Sequence, residues 1–326
     1  MELYPLKFKT IFKDKIWGGQ KIKTILGKDF SPLPNCGETW ELSGVQGNIS
    51  EVANGALTGQ LLTEVIAAAG DGLLGSRIRR EYGEEFPLLI KFIDANDDLS
   101  IQVHPDNELA QKRHNSKGKT EMWYIMQADP GATLISGFSQ DLDRASYQKA
   151  FDEGRLNEIL NREVAQTGDV FFLPAGRVHT IGKGLLLAEI QQTSDVTYRI
   201  YDFDRRDAEG NLRELHIEES LDAIDYKKYD QYKTPYKDQA DTRVDIVSCE
   251  YFTTNKLTLT GDFELDHSGL DCFIIYICLE GNAKLIYPGG VENLQMGEVI
   301  LVPAALEKYK FETSGGVTML ESYIRK

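Results

Sequence analysis

One seven-residue phrase that recurs late in the chain constrains the fold more than any other feature. Gly168-Asp-Val-Phe-Phe-Leu-Pro174 is echoed by Gly297-Glu-Val-Ile-Leu-Val-Pro303. In both copies a Gly–acid pair turns the chain into four apolar residues. A proline, which has no ladder donor, then ends the run. The phrase therefore reads as turn, strand, turn. Tyr276-Ile-Cys precedes a Gly turn much as Tyr124-Ile-Met does, so the likeness extends beyond the phrase itself. Duplication of one β unit explains this better than two unrelated domains. In this alignment Lys308 stands where His179 stands, and the place of Glu121 falls on the apolar run around Phe273. Only the first copy keeps metal-type donors.

The 326 residues suit about two domains. Residues 1–50 and 86–200 are dominated by short apolar runs broken by Gly and Pro. Two stretches, about 54–82 and 140–160, are richer in helix formers. A charged, Tyr-rich region over 201–241 reads as linker around a short helix at Glu218–Asp225, and strand patterning resumes beyond Val244. The expected fold is mainly β: two small barrels in tandem with small helical insertions. Residues 1–240 form the metal-binding unit, and 241–326 a degenerate copy without a metal site.

Composition narrows the function. Lys plus Arg number 36 against 51 Asp plus Glu, a net charge of −15. So acidic a chain is a poor partner for nucleic acid or an anionic membrane, and any phosphate it binds needs a local basic cluster. The N-terminal residues lack the apolar core of a signal peptide, and no run approaches a membrane span. Cys36, Cys249, Cys272 and Cys278 show no metal-type spacing and read as free thiols, which suits a reducing cytoplasm. The chain is expected to be a monomer or homodimer.

The chemistry is concentrated in three segments. In Leu99-Ser-Ile-Gln-Val-His-Pro105, Gln102 and His104 lie two apart on a strand and so share a face. Lys119-Thr-Glu121 and the turn from Pro174 to His179 follow. If these strands converge, Gln102, His104, Glu121 and His179 surround one point with two nitrogens and two oxygens, a plausible shell for a divalent metal. Leu187, Glu189 and Gln191 share another strand face. Lys91, inside an apolar strand, needs a polar partner or cavity. Trp17, Trp40 and Trp123 read as packing residues; His114, His216 and His267 read as solvated.

Gly168-x5-Pro174-x-Gly176-x2-His179 matches the second motif of the cupin superfamily up to its histidine. The first motif differs: Gln102-x-His104 replaces its usual His-x-His, which hardens the site toward Zn²⁺. Ser100-Ile-Gln-x-His-Pro105, Lys119-x-Glu121, Pro174 to His179, and Glu189-x5-Asp195-x3-Arg199 followed by Tyr201-Asp-Phe-Asp-Arg205 together resemble the type I phosphomannose isomerases. The likeness is to the short bacterial form, without the large helical insertion of longer members. It implies two cupin-type (jelly-roll) barrels and one Zn²⁺ on Gln102, His104, Glu121 and His179. It also implies interconversion of mannose 6-phosphate and fructose 6-phosphate through a cis-enediol. Glu189 is the expected base, with pairing to Arg199 as its alternative role. Arg199 is expected beside C1 and C2, with an ion pair to Asp195 or Asp202 as the alternative. Lys119 completes the catalytic group, and Ser100, Lys91 and Arg205 are expected near phosphate or sugar. A non-catalytic sugar-binding cupin would not need these charges, and a cupin oxygenase would favour three histidines.

Overall fold

The computed structural model describes residues 2–206 and 209–325. Its first unit is built from two antiparallel sheets. One has six strands in the order Ile11–Lys13, Glu38–Leu42, Leu88–Ala95, Leu185–Gln192, Glu121–Ala128 and Val170–Leu173. The other has five: Tyr198–Tyr201, Ile101–Val103, His179–Ile181, Thr133–Phe138 and Leu160–Val164.

Period-2 alternation on the six-stranded sheet sorts its side chains cleanly. Ile90, Phe92, Met122, Tyr124, Ala188 and Ile190 point outward into a core shared with the second unit. Ile93, Ile125, Leu185 and Leu187 point inward against Leu134 and Ile181 of the five-stranded sheet. The inward positions Lys91, Glu121, Trp123 and Glu189 therefore lie between the sheets. Helices Arg144–Asp152, Leu156–Ile159 and Ile217–Ala223 cover the outside of the five-stranded sheet with Tyr147, Leu156, Ile159 and Leu221. The charges sit in the unit's interior because both outer faces are sealed by apolar packing.

Residues from Arg243 onward form one curled eight-stranded sheet around the bent strand Ile274–Tyr287. The two units are not separated by a clean cut. Leu6 and Leu301 exchange backbone hydrogen bonds of 2.8 and 2.9 Å. Helices Asp71–Leu74 and Ser76–Tyr82 grip the second sheet: Ala304 and Ala305 donate to Leu73 and Gly72, and Asp271 caps Ser76 and Arg77. The stretch expected to be linker is also anchored. Tyr232 is buried and its hydroxyl donates to the Phe138 carbonyl at 2.7 Å, so most of 226–236 is a strap on the first unit. The polar insert after Pro105 holds an unexpected helix, Asn107–His114, capped by Asp106 at its start and ended by left-handed Asn115.

Strand register corrects the internal alignment by one residue. Val170 pairs with Tyr124, and Val299 pairs with Ile277, so Tyr276 is the counterpart of Trp123 rather than of Tyr124. In the first unit the row Trp123–Glu189–Lys91 crosses three strands. In the second unit the same row reads Tyr276–Glu321–Asn255. A buried carboxylate with a ring donor on one side persists in both. The metal-type donors do not: Glu121 is matched by Ile274, and Lys308 is exposed beside Asp266 at 3.2 Å. Tyr276, Asn255 and Arg243 all bind Glu321, at 2.8, 2.8 and 2.9 Å. His267 joins them. Its side chain is 8% exposed, not solvated, and burial pushes it down to about 3.

Glu321 thus closes the second sheet in place of a metal. Replacing it (E321A) strands three donors and is expected to cost at least about 2 kcal/mol. Urea unfolding measures this, and an unchanged midpoint would show that the network carries no stability.

Candidate metal centre and cleft

His104 follows the strand Ile101–Val103, Glu121 opens Glu121–Ala128, and His179 opens His179–Ile181. One ligand atom from each lies within 4.8 Å of the others. All three side chains are buried. Glu121 Oε1 is 3.3 Å from His179 Nε2, and Oε2 is 3.7 Å from His104 Nε2. Both Nε2 atoms and Glu121 Oε1 are buried without a hydrogen-bond partner, and Oε2 meets Lys119 Nζ at 3.2 Å. The Nδ1 atoms, by contrast, meet the Val196 and Arg177 carbonyls at 2.9 and 2.8 Å. Those carbonyls fix the proton on Nδ1 and aim the Nε2 lone pairs inward, the usual support for metal-binding histidines.

The electrostatics agree with that geometry. Burial pushes Glu121 up to about 7, with Glu189 adding to the effect, although Lys119 stands 3.2 Å away. Burial takes His179 down to about 4 and His104 well below its ordinary value. Glu121 Oε1 and the two Nε2 atoms still face one another without a partner, which costs several kcal/mol in a protein interior unless a cation joins them. The residues present therefore fit a divalent ion. Gln102 pairs by register with His179 and can supply a fourth, oxygen ligand.

Beside these donors opens a cleft of about 380 Å³, lined by Ser100, Gln102, Lys91, Lys119, Glu189 and Arg199 among others. That volume suits a sugar phosphate. Lys91 bridges two carboxylates, Glu189 at 3.1 Å and Glu38 at 3.9 Å, and stacks over Trp40. Trp123 Nε1 donates to Glu189 Oε2 at 2.8 Å. Burial alone would raise the Glu189 carboxyl, but Lys91, Lys119 and the Trp123 bond outweigh it and hold it below its usual range. Glu189 therefore pairs with Lys91 and not with Arg199. Arg199 pairs with neither Asp195 nor Asp202; its Nη1 donates to the Glu214 carbonyl at 2.8 Å.

Nine of the ten residues singled out in the sequence gather at the donors or the cleft. Arg205 does not line it: its guanidinium binds Asp202 at 2.6 Å and reaches Asp97. Other lining residues carried no such expectation. Trp17 and Trp40 line the cleft as well as packing, and Arg213 enters from the region read as linker. Glu38 lies on the strand beside Lys91, a placement that only the register reveals.

The comparisons agree with this picture. The model of the phosphomannose isomerase type I catalytic domain matches residues 5–129, and that of the mannose-6-phosphate isomerase cupin domain matches 242–324. The mannose-6-phosphate isomerase ManA of Bacillus subtilis (strain 168) is 35% identical over 322 residues, covering 96% of this chain and 97% of the relative. The mannose-6-phosphate isomerase of Streptococcus mutans is 33% identical over 311 residues, covering 94% and 95%. The crystal structure of mannose 6-phosphate isomerase from Bacillus subtilis superposes with a TM-score of 0.88 at 31% identity, covering 98% and 99%.

Three converging donors leave no spare ligand, so the loss of one should remove most ion binding. The H104A protein is expected to hold well under a tenth of the bound divalent metal of the wild type, while its far-ultraviolet circular dichroism stays unchanged. Elemental analysis of the purified variant measures this; full metal content would refute the donor assignment.

Proposed function

We infer the reaction from a plain premise: the chain belongs to the type I phosphomannose isomerases, and it interconverts mannose 6-phosphate and fructose 6-phosphate. The observation that carries this is the placement of a buried, ionised carboxylate, Glu189, beside three converging metal-type donors in a cleft of sugar-phosphate size. Gln102, His104, Glu121 and His179 would hold the ion, and we propose Zn²⁺ because the set pairs two imidazoles with two oxygens and no sulfur. When bound, it polarises substrate oxygens as a Lewis acid.

The chain's own residues account for the rest. Aldose–ketose isomerisation moves a proton between C1 and C2 through a cis-enediol and needs a base that is ionised before the substrate arrives. Glu189 is that base in our reading. Trp123 pins Oε2, while Oε1 meets Lys91 Nζ at 3.1 Å. Lys91 acts mainly on Glu189, keeping it charged. Lys119 and Arg199 are placed to stabilise negative charge developing on the substrate oxygens. Ser100 lines the same cleft and can bond the sugar or its phosphate.

We take residues 1–240 as the catalytic unit and 241–326 as its degenerate copy, and we place the protein in the cytoplasm. All four cysteines are free thiols, which suits a reducing compartment. Among the described residues no helix is long and apolar enough to cross a membrane.

A coupled assay with mannose 6-phosphate tests the reaction. Complete chelation should abolish turnover and stoichiometric Zn²⁺ should restore it; turnover that survives metal removal would sink the reading. E189Q should lower kcat by about 10²-fold or more with bound metal retained. Wild-type kcat in E189Q would rule out Glu189 as the base.

A further inference from the structure

His179 takes its orientation from a carbonyl that no strand holds. Its Nδ1 meets the Arg177 carbonyl at 2.8 Å, and residues 174–178 form the turn between the strands Val170–Leu173 and His179–Ile181. Turn backbone is more mobile than strand backbone, so this carbonyl is only as well placed as the residue that carries it. The neighbours of the turn belong to the segment that leads to the second unit. The Asp225 N–H donates to the Gly176 carbonyl at 2.8 Å, and the Gly176 N–H donates to the His104 carbonyl at 2.9 Å. Gly176 adopts φ 88°, and a Cβ there would stand 2.9 Å from the Ala223 carbonyl.

The side chain of Arg177 closes the same contact. It is 7% exposed, and its guanidinium carbon lies 4.5 Å from the ring centroid of Tyr229 and 4.9 Å from that of Tyr232. Among the described residues no carboxylate comes within ion-pair distance of it. A buried arginine ordinarily has such a partner. Here two aromatic faces take its place, and cation–π attraction grows as water is excluded.

Both rings are fixed in turn. The Tyr232 hydroxyl donates to the Phe138 carbonyl at 2.7 Å and accepts the N–H groups of Phe138 and Tyr229, both at 3.1 Å. Its ring lies so close to Gly137 that a Cβ there would stand 2.4 Å away. The Tyr229 hydroxyl donates to Asp225 Oδ2 at 2.6 Å. The contacts thus run without a gap from the strand Thr133–Phe138, which pairs with His179 through Ser136, to the segment that joins the units.

We propose, building on the reading of His104, Glu121 and His179 as metal ligands, that Arg177 is a positioning residue for His179. Gripped between Tyr229 and Tyr232, it holds its own carbonyl against Nδ1 and so raises the affinity of the centre for its divalent ion. The segment joining the units is thereby part of the metal site without contributing a ligand. A cation in this place must stack against two rings at once. The planar guanidinium does so; a lysine ammonium, a compact and more strongly hydrated charge, does so less well.

The test is a Zn²⁺ competition titration of the full-length apoprotein against a chromophoric chelator, beside the urea midpoint of each apoprotein. R177M should bind Zn²⁺ about 10-fold more weakly than wild type, the low end of what outer-shell partners cost. R177K should recover part of that loss. Y229L should weaken binding about threefold, and Y229F, which keeps the ring, should stay at the wild-type affinity. The double variant R177M/Y229L should bind as weakly as R177M and no more, because both changes break one contact. A merely structural role would move the urea midpoints and leave the affinities where they are. Wild-type affinity in R177M would overturn the proposal, as would additive losses in the double variant. Should R177M fail to fold, the Tyr229 variants decide: weakening in Y229L alone supports the proposal, and equal affinity in Y229L and Y229F overturns it. A wild type that binds no Zn²⁺ also overturns it, whereas the isomerase reading stands or falls on the coupled assay with mannose 6-phosphate.

Discussion

The first unit is organised around a set of buried polar atoms that the protein alone does not satisfy. Two imidazole nitrogens and a carboxylate converge within 4.8 Å, out of water, with Lys119 on one carboxylate oxygen and no hydrogen-bond partner for the rest. An interior tolerates such a group only when a cation closes it or when surrounding packing leaves no alternative. Here the packing is extensive. Both sheets bury their outer faces under helices or the second unit, and the Nδ1 bonds to Val196 and Arg177 keep the rings from turning away. The cost of keeping these donors dry is met by apolar burial elsewhere.

The charges around that centre follow from the same geometry. The charged side chains around the donors are paired with opposite charges. Lys91 stands between Glu38 and Glu189, and Lys119 faces Glu121. Neutral pairing of this kind lets a carboxylate stay ionised in a dry cleft, which is what proton abstraction requires. In the second unit the equivalent row also holds a carboxylate, Glu321, bonded to Tyr276, Asn255 and Arg243.

Much of this is legible in the amino-acid sequence, because it depends on local periodicity. Period 2 puts Gln102 with His104 and Glu189 with Gln191, and the Gly–acid–Val to Pro phrase marks equivalent strands. The helical insertions at 54–82 and 140–160 also appear as such. What local pattern hides depends on contacts between distant segments. The pairing of Glu189 with Lys91, and not Arg199, is a matter of strand order. His267 sits in polar sequence yet its side chain is 8% exposed, because the network of Glu321 and Arg243 closes over it. Trp123 has the surroundings of a packing residue, and only strand pairing brings its Nε1 onto Glu189. Arg213 has no local signal at all: a charged stretch reads as linker unless Asp202 is known to hold it. The helix Asn107–His114 does carry one, with Asp106 as cap and Lys112, Arg113 and His114 in its last turn, but its low apolar content hides it.

The isomerase reading requires one catalytic ion per chain, in the first unit only, on nitrogen and oxygen donors. X-ray absorption at the metal edge, together with the metal count per chain, measures this directly. The account predicts one ion per chain in a shell of nitrogen and oxygen containing two imidazoles. A thiolate sulfur in that shell, or a second ion seated in the C-terminal sheet, would contradict it.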